Sequence, residues 1–279
     1  MKFFTIAISA SLVFLLWSLY FFWRYDFIND PRSAFYGTLL WFVSIVTWSI
    51  YAFMHHYRNS KPNERERLSL REKFILLSLL TLAFIVRLYK VDRYATLLDD
   101  WYWLDQVRGI LQGFVTTPFG FIGDQPSNLP AFIVLPIYIF TGKSYLAVRI
   151  TGILLSLGNI VIMFYLARQI FNKSVAFFTA FFIATSIWDI HVSKIPWINT
   201  TINPVLISGT LYYVYKSVTQ YSLRNALLAG LFIGISINLL YLAAINAIAL
   251  LVYFIIRLFF QKHKVQTLTA IATIAFTSF

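Results

Sequence analysis

The sequence contains no cysteine, which excludes disulfides and thiolate-held metals and leaves the redox compartment open. Charge is scarce. Charged residues make up 12% of the chain and hydrophobic residues 59%, against roughly 25% charged in an ordinary soluble domain. Acids are scarcer still, 11 against 23 Lys and Arg, and those after Glu72 are Asp92, Asp99, Asp100, Asp105, Asp124 and Asp189. There is no Walker loop, no Rossmann glycine fingerprint, no Ser-His nucleophile arrangement, no internal repeat and no low-complexity tract. Nucleic acid is not an expected partner, because the basic residues sit in short clusters between apolar runs and cover no single polar domain. That distribution follows the positive-inside rule of membrane proteins.

What is present is a series of apolar runs. A membrane span takes about 20 apolar residues, which predicts an all-α polytopic membrane protein with spans near 3–22, 36–54, 73–89, 147–167, 174–189, 201–216, 225–240 and 241–259. A ninth run begins near 266 and stops at Phe279 without a polar cap, so the sequence is expected to be a C-terminally truncated piece of a longer chain. The first run lacks a small-residue cleavage site and reads as an uncleaved span. Leu129 to Phe140 is apolar but short. If it stays at the surface, Arg168, Lys173, Lys216, Arg224, Arg257, Lys262 and Lys264 share a side with the basic stretch 58–73, and Lys194 lies opposite. At about 1 kcal/mol per juxtamembrane basic residue, this arrangement outweighs inserting a short helix. The expected organisation is two N-terminal transmembrane helices (1–57), a basic cytoplasmic linker (58–73) and a membrane module (74–279) incomplete at its C-terminus. A large non-cytoplasmic loop, 90–146, then carries short juxtamembrane helices.

That loop holds most of the late acids. Asp99 and Asp100, in Leu97-Leu98-Asp99-Asp100-Trp101-Tyr102-Trp103, are the leading candidates for chemistry. Like charge and desolvation beside two tryptophans would separate their pKa values, which suits a general base or a cation ligand. Asp also favours helix N-termini, so the pair equally reads as a cap. The stretch 101–114 is expected to be amphipathic, with Trp101, Leu104, Leu111 and Phe114 on its apolar side and Asp105 paired with Arg108. Arg149, just inside the 147–167 span, puts a guanidinium at headgroup depth, where it either meets a phosphate or snorkels. Asp189, His191 and Lys194 close the 174–189 span as a proton shuttle, metal ligand or phosphate contact, or simply as a polar helix end. Asn199, Asn238 and Asn246 lie by outer turns, where they contact a sugar or make the turn. The sequence demands no cofactor. A divalent cation is an option, with Asp99, Asp100 and His191 around it.

The ordered set Arg87-Leu88-Tyr89-Lys90-Val91-Asp92, Asp99-Asp100, Phe140-Thr141-Gly142, Arg149-Ile150-Thr151-Gly152, Tyr165 through Phe171 and Trp188 through Lys194 resembles the GT-C superfamily of membrane glycosyltransferases. The closest branch is the family 39-like one of protein O-mannosyltransferases and lipid A aminoarabinose transferases. The resemblance covers about residues 87–253. It implies a GT-C type bundle of about nine transmembrane helices in a plasma (inner) membrane. It also implies a polyprenyl-phosphate-linked sugar donor, used on the non-cytoplasmic face with inversion, and an acceptor (protein, lipid or glycan) left open. Asp99 matches the family's first-loop aspartate, and Asp100 stands where the family usually has Glu. Arg149 matches an arginine near the lipid phosphate. Lys194 replaces the Arg of a His-x-Ser-Arg pattern, keeping charge and losing the planar fork. Asn128 stands before Leu129-Pro130, where many relatives carry Lys or Arg; Asn128, Asn199 and His191 are the further substrate contacts. The competing reading is a lipid or solute transporter. Transporters favour ionisable residues at mid-bilayer on broken helices, often in repeats, whereas the acids here lie in a loop.

Overall fold

The computed structural model describes residues 68–93, 98–115, 118, 127–142, 145–195, 198–220, 222–239, 244–260 and 264–278, with Val13, Trp17, Leu39, Leu40 and Val43. The two expected N-terminal spans and most of the basic linker therefore lie outside the described residues. Within them, all regular structure is helical. In chain order the helices are α1 (Leu70–Leu88), a 3-10 turn (Val91–Arg93), α2 (Leu98–Leu111), α3 (Leu129–Phe140), α4 (Leu146–Ile170), α5 (Lys173–Thr185), α6 (Ile187–Val192), α7 (Ile198–Gln220), α8 (Leu223–Leu239), α9 (Ala244–Phe260) and α10 (Lys264–Ser278). Among the described residues, helices lie over the predicted runs from residue 73 onward, with one correction: the expected span 174–189 is broken at Ser186 into α5 and α6. Among the described residues, α4 is the helix long and apolar enough to cross a membrane; α3, α5, α8 and much of α9 are shorter apolar helices.

Contacts divide the chain into two compact units, Pro62–Tyr212 with Phe232–Val252, and Met1–Lys61 with Tyr213–Leu231 and Tyr253–Phe279. In the first unit α4 is the hub, touching α1, α2, α3 and α5. Ala176, Ala180 and Ala184, one turn apart on α5, are buried with Ile160 and Phe164 of α4 and Ala83 of α1. Phe178 and Phe182, on the other side of α5, are 64% and 66% exposed. Small residues inside and large apolar ones outside is the pattern of helices packed in lipid, where burial of apolar surface provides no drive between helices and close backbone approach does. Hydrogen bonds add to it: Ser208 donates to Asn159 Oδ1 (2.9 Å) between α7 and α4, and Ser236 donates to Asn203 Oδ1 (3.0 Å) between α8 and α7. In the second unit Gly230 of α8 permits the approach of Thr277 of α10, which a Cβ would occupy.

A further core joins Trp103, Leu104 and Val107 of α2 to Val134 and Tyr138 of α3 and Val148 of α4. The residues expected on the apolar side of α2 divide. Leu104 is buried, but Trp101, Leu111 and Phe114 are exposed. The reason is that α3 covers the side through 103 and 107, and Gly113, in the left-handed region at φ 79°, ends the helix before Phe114. The Asp105–Arg108 pair forms as expected, Nη1 to Oδ1 3.0 Å, at an exposed position.

At its start α1 carries a capping box. The Glu72 N–H donates to Ser69 Oγ (3.3 Å), and the Ser69 N–H donates to Glu72 Oε2 (2.8 Å). Glu72 also pairs with Arg168 in the last turn of α4 (3.1 Å), which fixes α1 and α4 as antiparallel neighbours. The bond from the Ser69 N–H, followed by that from Arg168, holds the Glu72 carboxyl below the usual glutamate range. A carboxyl with a lowered folded-state pKa contributes stability above its unfolded pKa and loses it as pH falls through the folded one. Glu72→Gln should therefore cost about 1 kcal/mol at pH 7, with the gap to wild type closing in acid; thermal melts of both proteins from pH 7 downward check this.

Candidate functional site

The most demanding group in the first unit is Arg87, in the last turn of α1, whose side chain is wholly buried. A guanidinium has five N–H donors and cannot shed its charge. All five are used. Nε donates to Ser156 Oγ on α4 (2.9 Å). Nη1 donates to the carbonyls of Ala83 (3.1 Å) and Ala184 (3.0 Å). Nη2 donates to the Ile183 carbonyl (3.2 Å) and to Asp189 Oδ2 (2.5 Å). The Ser156 hydroxyl donates to the same Asp189 oxygen (2.5 Å), closing a triangle between α1, α4 and α6. The carbonyls of Ile183 and Ala184 belong to the last turn of α5, where a helix runs out of N–H donors for its final carbonyls; that of Ile183 also accepts from the Ser186 N–H (3.3 Å).

Past the break, Ser186 Oγ accepts from the Asp189 N–H (3.4 Å) as the N-cap of α6. The short helix then delivers Lys194, 6% exposed, to the segment that follows α1. Lys194 Nζ donates to the Tyr89 carbonyl (2.9 Å). Arg149, fully buried, donates from Nη1 to the Val91 carbonyl (2.7 Å) and stands 5.1 Å from the Tyr145 ring centroid. Between these two carbonyls lies Lys90 at φ 56°, a left-handed conformation uncommon outside glycine. Burial first, and then the charge of Arg87, pull the Lys194 ammonium below the ordinary lysine range.

Of the residues singled out from sequence, Arg149 and Lys194 are thus brought onto one segment. The snorkelling alternative for Arg149 is corrected, since its side chain points into the bundle and has no exposed surface. Asp189 is the ion-pair partner of Arg87. His191 is exposed on α6, and Asn128 is buried at the N-terminus of α3, its carbonyl accepting from the Ala131 N–H (2.9 Å). Asp99 and Asp100 lie in the first turn of α2 and Asn199 in that of α7, and the side chains of all three fall outside the described residues. Among the described residues no three His, Asp or Glu side chains gather as a metal site. Sequence reasoning passed over Ser156 and the packing roles of Gly152 and Arg87. Ser186-Ile187-Trp188-Asp189, with its Ser-x-x-Asp spacing, was a readable signal for the new helix start.

A family model described as dolichyl-phosphate-mannose-protein mannosyltransferase matches residues 124–279; no curated protein and no solved structure matches the chain. The chain belongs to that family. It is a glycosyltransferase of the GT-C type, and family and apolar helices together point to a membrane protein. The matched segment includes Arg149, Asp189 and Lys194 and begins after Asp99 and Asp100.

Gly152 holds the two sides of this site together, because a Cβ built there would lie 2.7 Å from the Ser193 carbonyl oxygen, a backbone atom that cannot swing aside. Gly152→Ala should lower stability by about 1–3 kcal/mol. Gly158→Ala on the same helix, with nothing within 4 Å, should be neutral or slightly stabilising. Parallel melting curves of the two variants distinguish a local clash from a general glycine effect.

Proposed function

We propose that the protein is a multi-pass enzyme of about nine spans that moves a sugar from a polyprenyl phosphate to an acceptor on the non-cytoplasmic face of the plasma membrane, inverting the anomeric carbon. Residues 74–279 are its catalytic module. The observation that carries the reading is the convergence of two buried cations, Arg149 and Lys194, on the Val91 and Tyr89 carbonyls, in the segment that leads to Asp99. An ionisable residue inside a membrane protein is a functional-site hypothesis by default, and two cations on one segment suit an anion. The donor's phosphate is that anion, and Asp99 is the base.

In this mechanism the ionised Asp99, with Asp100 beside it, takes the proton of an acceptor hydroxyl. The hydroxyl oxygen attacks the anomeric carbon opposite the phosphate, and the carbon–oxygen bond to phosphate breaks with its electron pair leaving on the polyprenyl phosphate. Negative charge grows on the leaving group, and Arg149 and Lys194 stabilise it in surroundings drier than water. Asn128, Asn199 and His191 are assigned to the substrate, and Asp99, Asp100 and His191 to a divalent cation should chelation abolish turnover.

Transfer from radiolabelled polyprenyl-phosphate sugars in proteoliposomes tests the assignment. Asp99→Asn should lose about 10²–10⁴-fold in turnover with an unchanged melting temperature. Equal turnover in variant and wild type, or none with any donor, moves the reading to a carrier. The protonation of Lys194 gives an independent check. Because its ammonium deprotonates earlier than an ordinary lysine, kcat/KM should fall on the alkaline side below the usual lysine range. Lys194→Arg, which stays charged, should remove that limb from the pH profile.

A further inference from the structure

No proline or glycine lies between Asn172 and Ile195, yet the helix breaks at Ser186. Sharp helix breaks without those residues arise where a side chain inserts into the hydrogen-bond ladder. Here the inserted group is the Arg87 guanidinium. It occupies the carbonyls of Ile183 and Ala184, which in a continuous helix would accept from the N–H groups of residues 187 and 188. We infer that Arg87 and Asp189 are positioning residues for Lys194, acting through this break; the inference rests on the reading of Lys194 as a donor-phosphate cation.

The contacts form a ring. Arg87 ends α5 and pairs with Asp189, and Asp189 sits in the first turn of α6 with its N–H on Ser186. The turn after α6 presses the Ser193 carbonyl against Gly152. Lys194 then returns to the Tyr89 carbonyl, two residues beyond Arg87. Were α5 to continue unbroken at about 1.5 Å per residue, Lys194 would be carried roughly 13 Å past Thr185 along the same axis, away from Tyr89. Asp189 adds the charge that lets the inserted cation remain buried, since an unpaired guanidinium in an apolar bundle would be expelled and the ladder would re-form.

The test is binding of undecaprenyl phosphate to the full-length protein in nanodiscs, analysed as a double-mutant cycle. Lys194→Ala should weaken binding about 10-fold or more, and Arg87→Lys, which keeps charge but loses the fork, should weaken it comparably. The decisive readout is the double variant. If Arg87 acts through Lys194, the double binds no worse than Lys194→Ala alone, because coupled residues are non-additive. If the two losses multiply, or if Arg87→Lys binds like wild type, the positioning role is overturned while the phosphate reading stands. Absence of binding to wild type, or wild-type binding by Lys194→Ala, overturns both. Should Arg87→Lys fail to fold, Ser156→Ala, which removes one hydroxyl and leaves the ion pair, carries the same cycle with a loss of about 3-fold that must vanish in the Lys194→Ala background.

Discussion

A guanidinium that cannot lose its proton is enclosed by helices, and the arrangement around it follows from that constraint. Removing such an ion from water costs several kcal/mol even after relaxation, and it is tolerated only with near-complete hydrogen bonding and a counter-charge. The chain meets the demand with groups that had needs of their own. Two of the carbonyls around Arg87 terminate α5, where regular helical donors run out, and the carboxylate of Asp189 opens α6, where negative charge suits a helix N-terminus. Each of these groups satisfies another, so the helix end, the break and the buried charge are one feature.

The same helix is held at its other end by a different logic. Glu72 caps α1 and reaches Arg168 on α4, so α1 is tied to α4 by an ion pair at one terminus and to α4, α5 and α6 by the guanidinium network at the other. Between the two ties the contacts are small and apolar, with alanines of α5 against the aromatic and branched side chains of α4. A scaffold pinned in this way keeps the segment after α1 in a fixed conformation, the left-handed Lys90 included, before any ligand is bound. Pre-set geometry of this kind is what electrostatic stabilisation of a leaving group requires.

Much of this was readable from sequence, and the unread part has a common cause. Apolar run length gave the helices and kept 129–140 apart as a short one, because both follow from local composition. The Asp105–Arg108 pair was legible since three-residue spacing places both on one helix surface. Arg149 and Lys194 were picked out by charge in an apolar context. The Arg87–Asp189 pair was not, because its members are separated by 102 positions and nothing in either neighbourhood names the other. The break at Ser186 was missed although Ser186 and Asp189 carry the spacing of a helix start, because that spacing alone does not end the helix before it. Its cause lies on α1, and the apolar run passes through without proline or glycine. Which apolar residues of α2 are covered was not legible, because α3, and not the helix's own periodicity, decides it.

The early stop of α5 has a consequence for the lipid around it. Its 13 residues rise only about 20 Å, against an apolar bilayer thickness of about 30 Å, while its neighbour α4 has 25 residues. In the proposed orientation, a membrane bordering helices of such unequal reach must thin along the flank of α5, since exposing the phenylalanines there to water or burying polar ends in hydrocarbon would cost more. With the polyprenyl-phosphate donor proposed above, a lipid following the dimpled surface would bring its phosphate down to the level of Arg149 and Lys194. None of its isoprene units need then be drawn out of hydrocarbon, a withdrawal that costs about 0.8 kcal/mol per methylene. On that proposal the short helix lowers the water line to the chemistry, in place of lifting a very long lipid up to it.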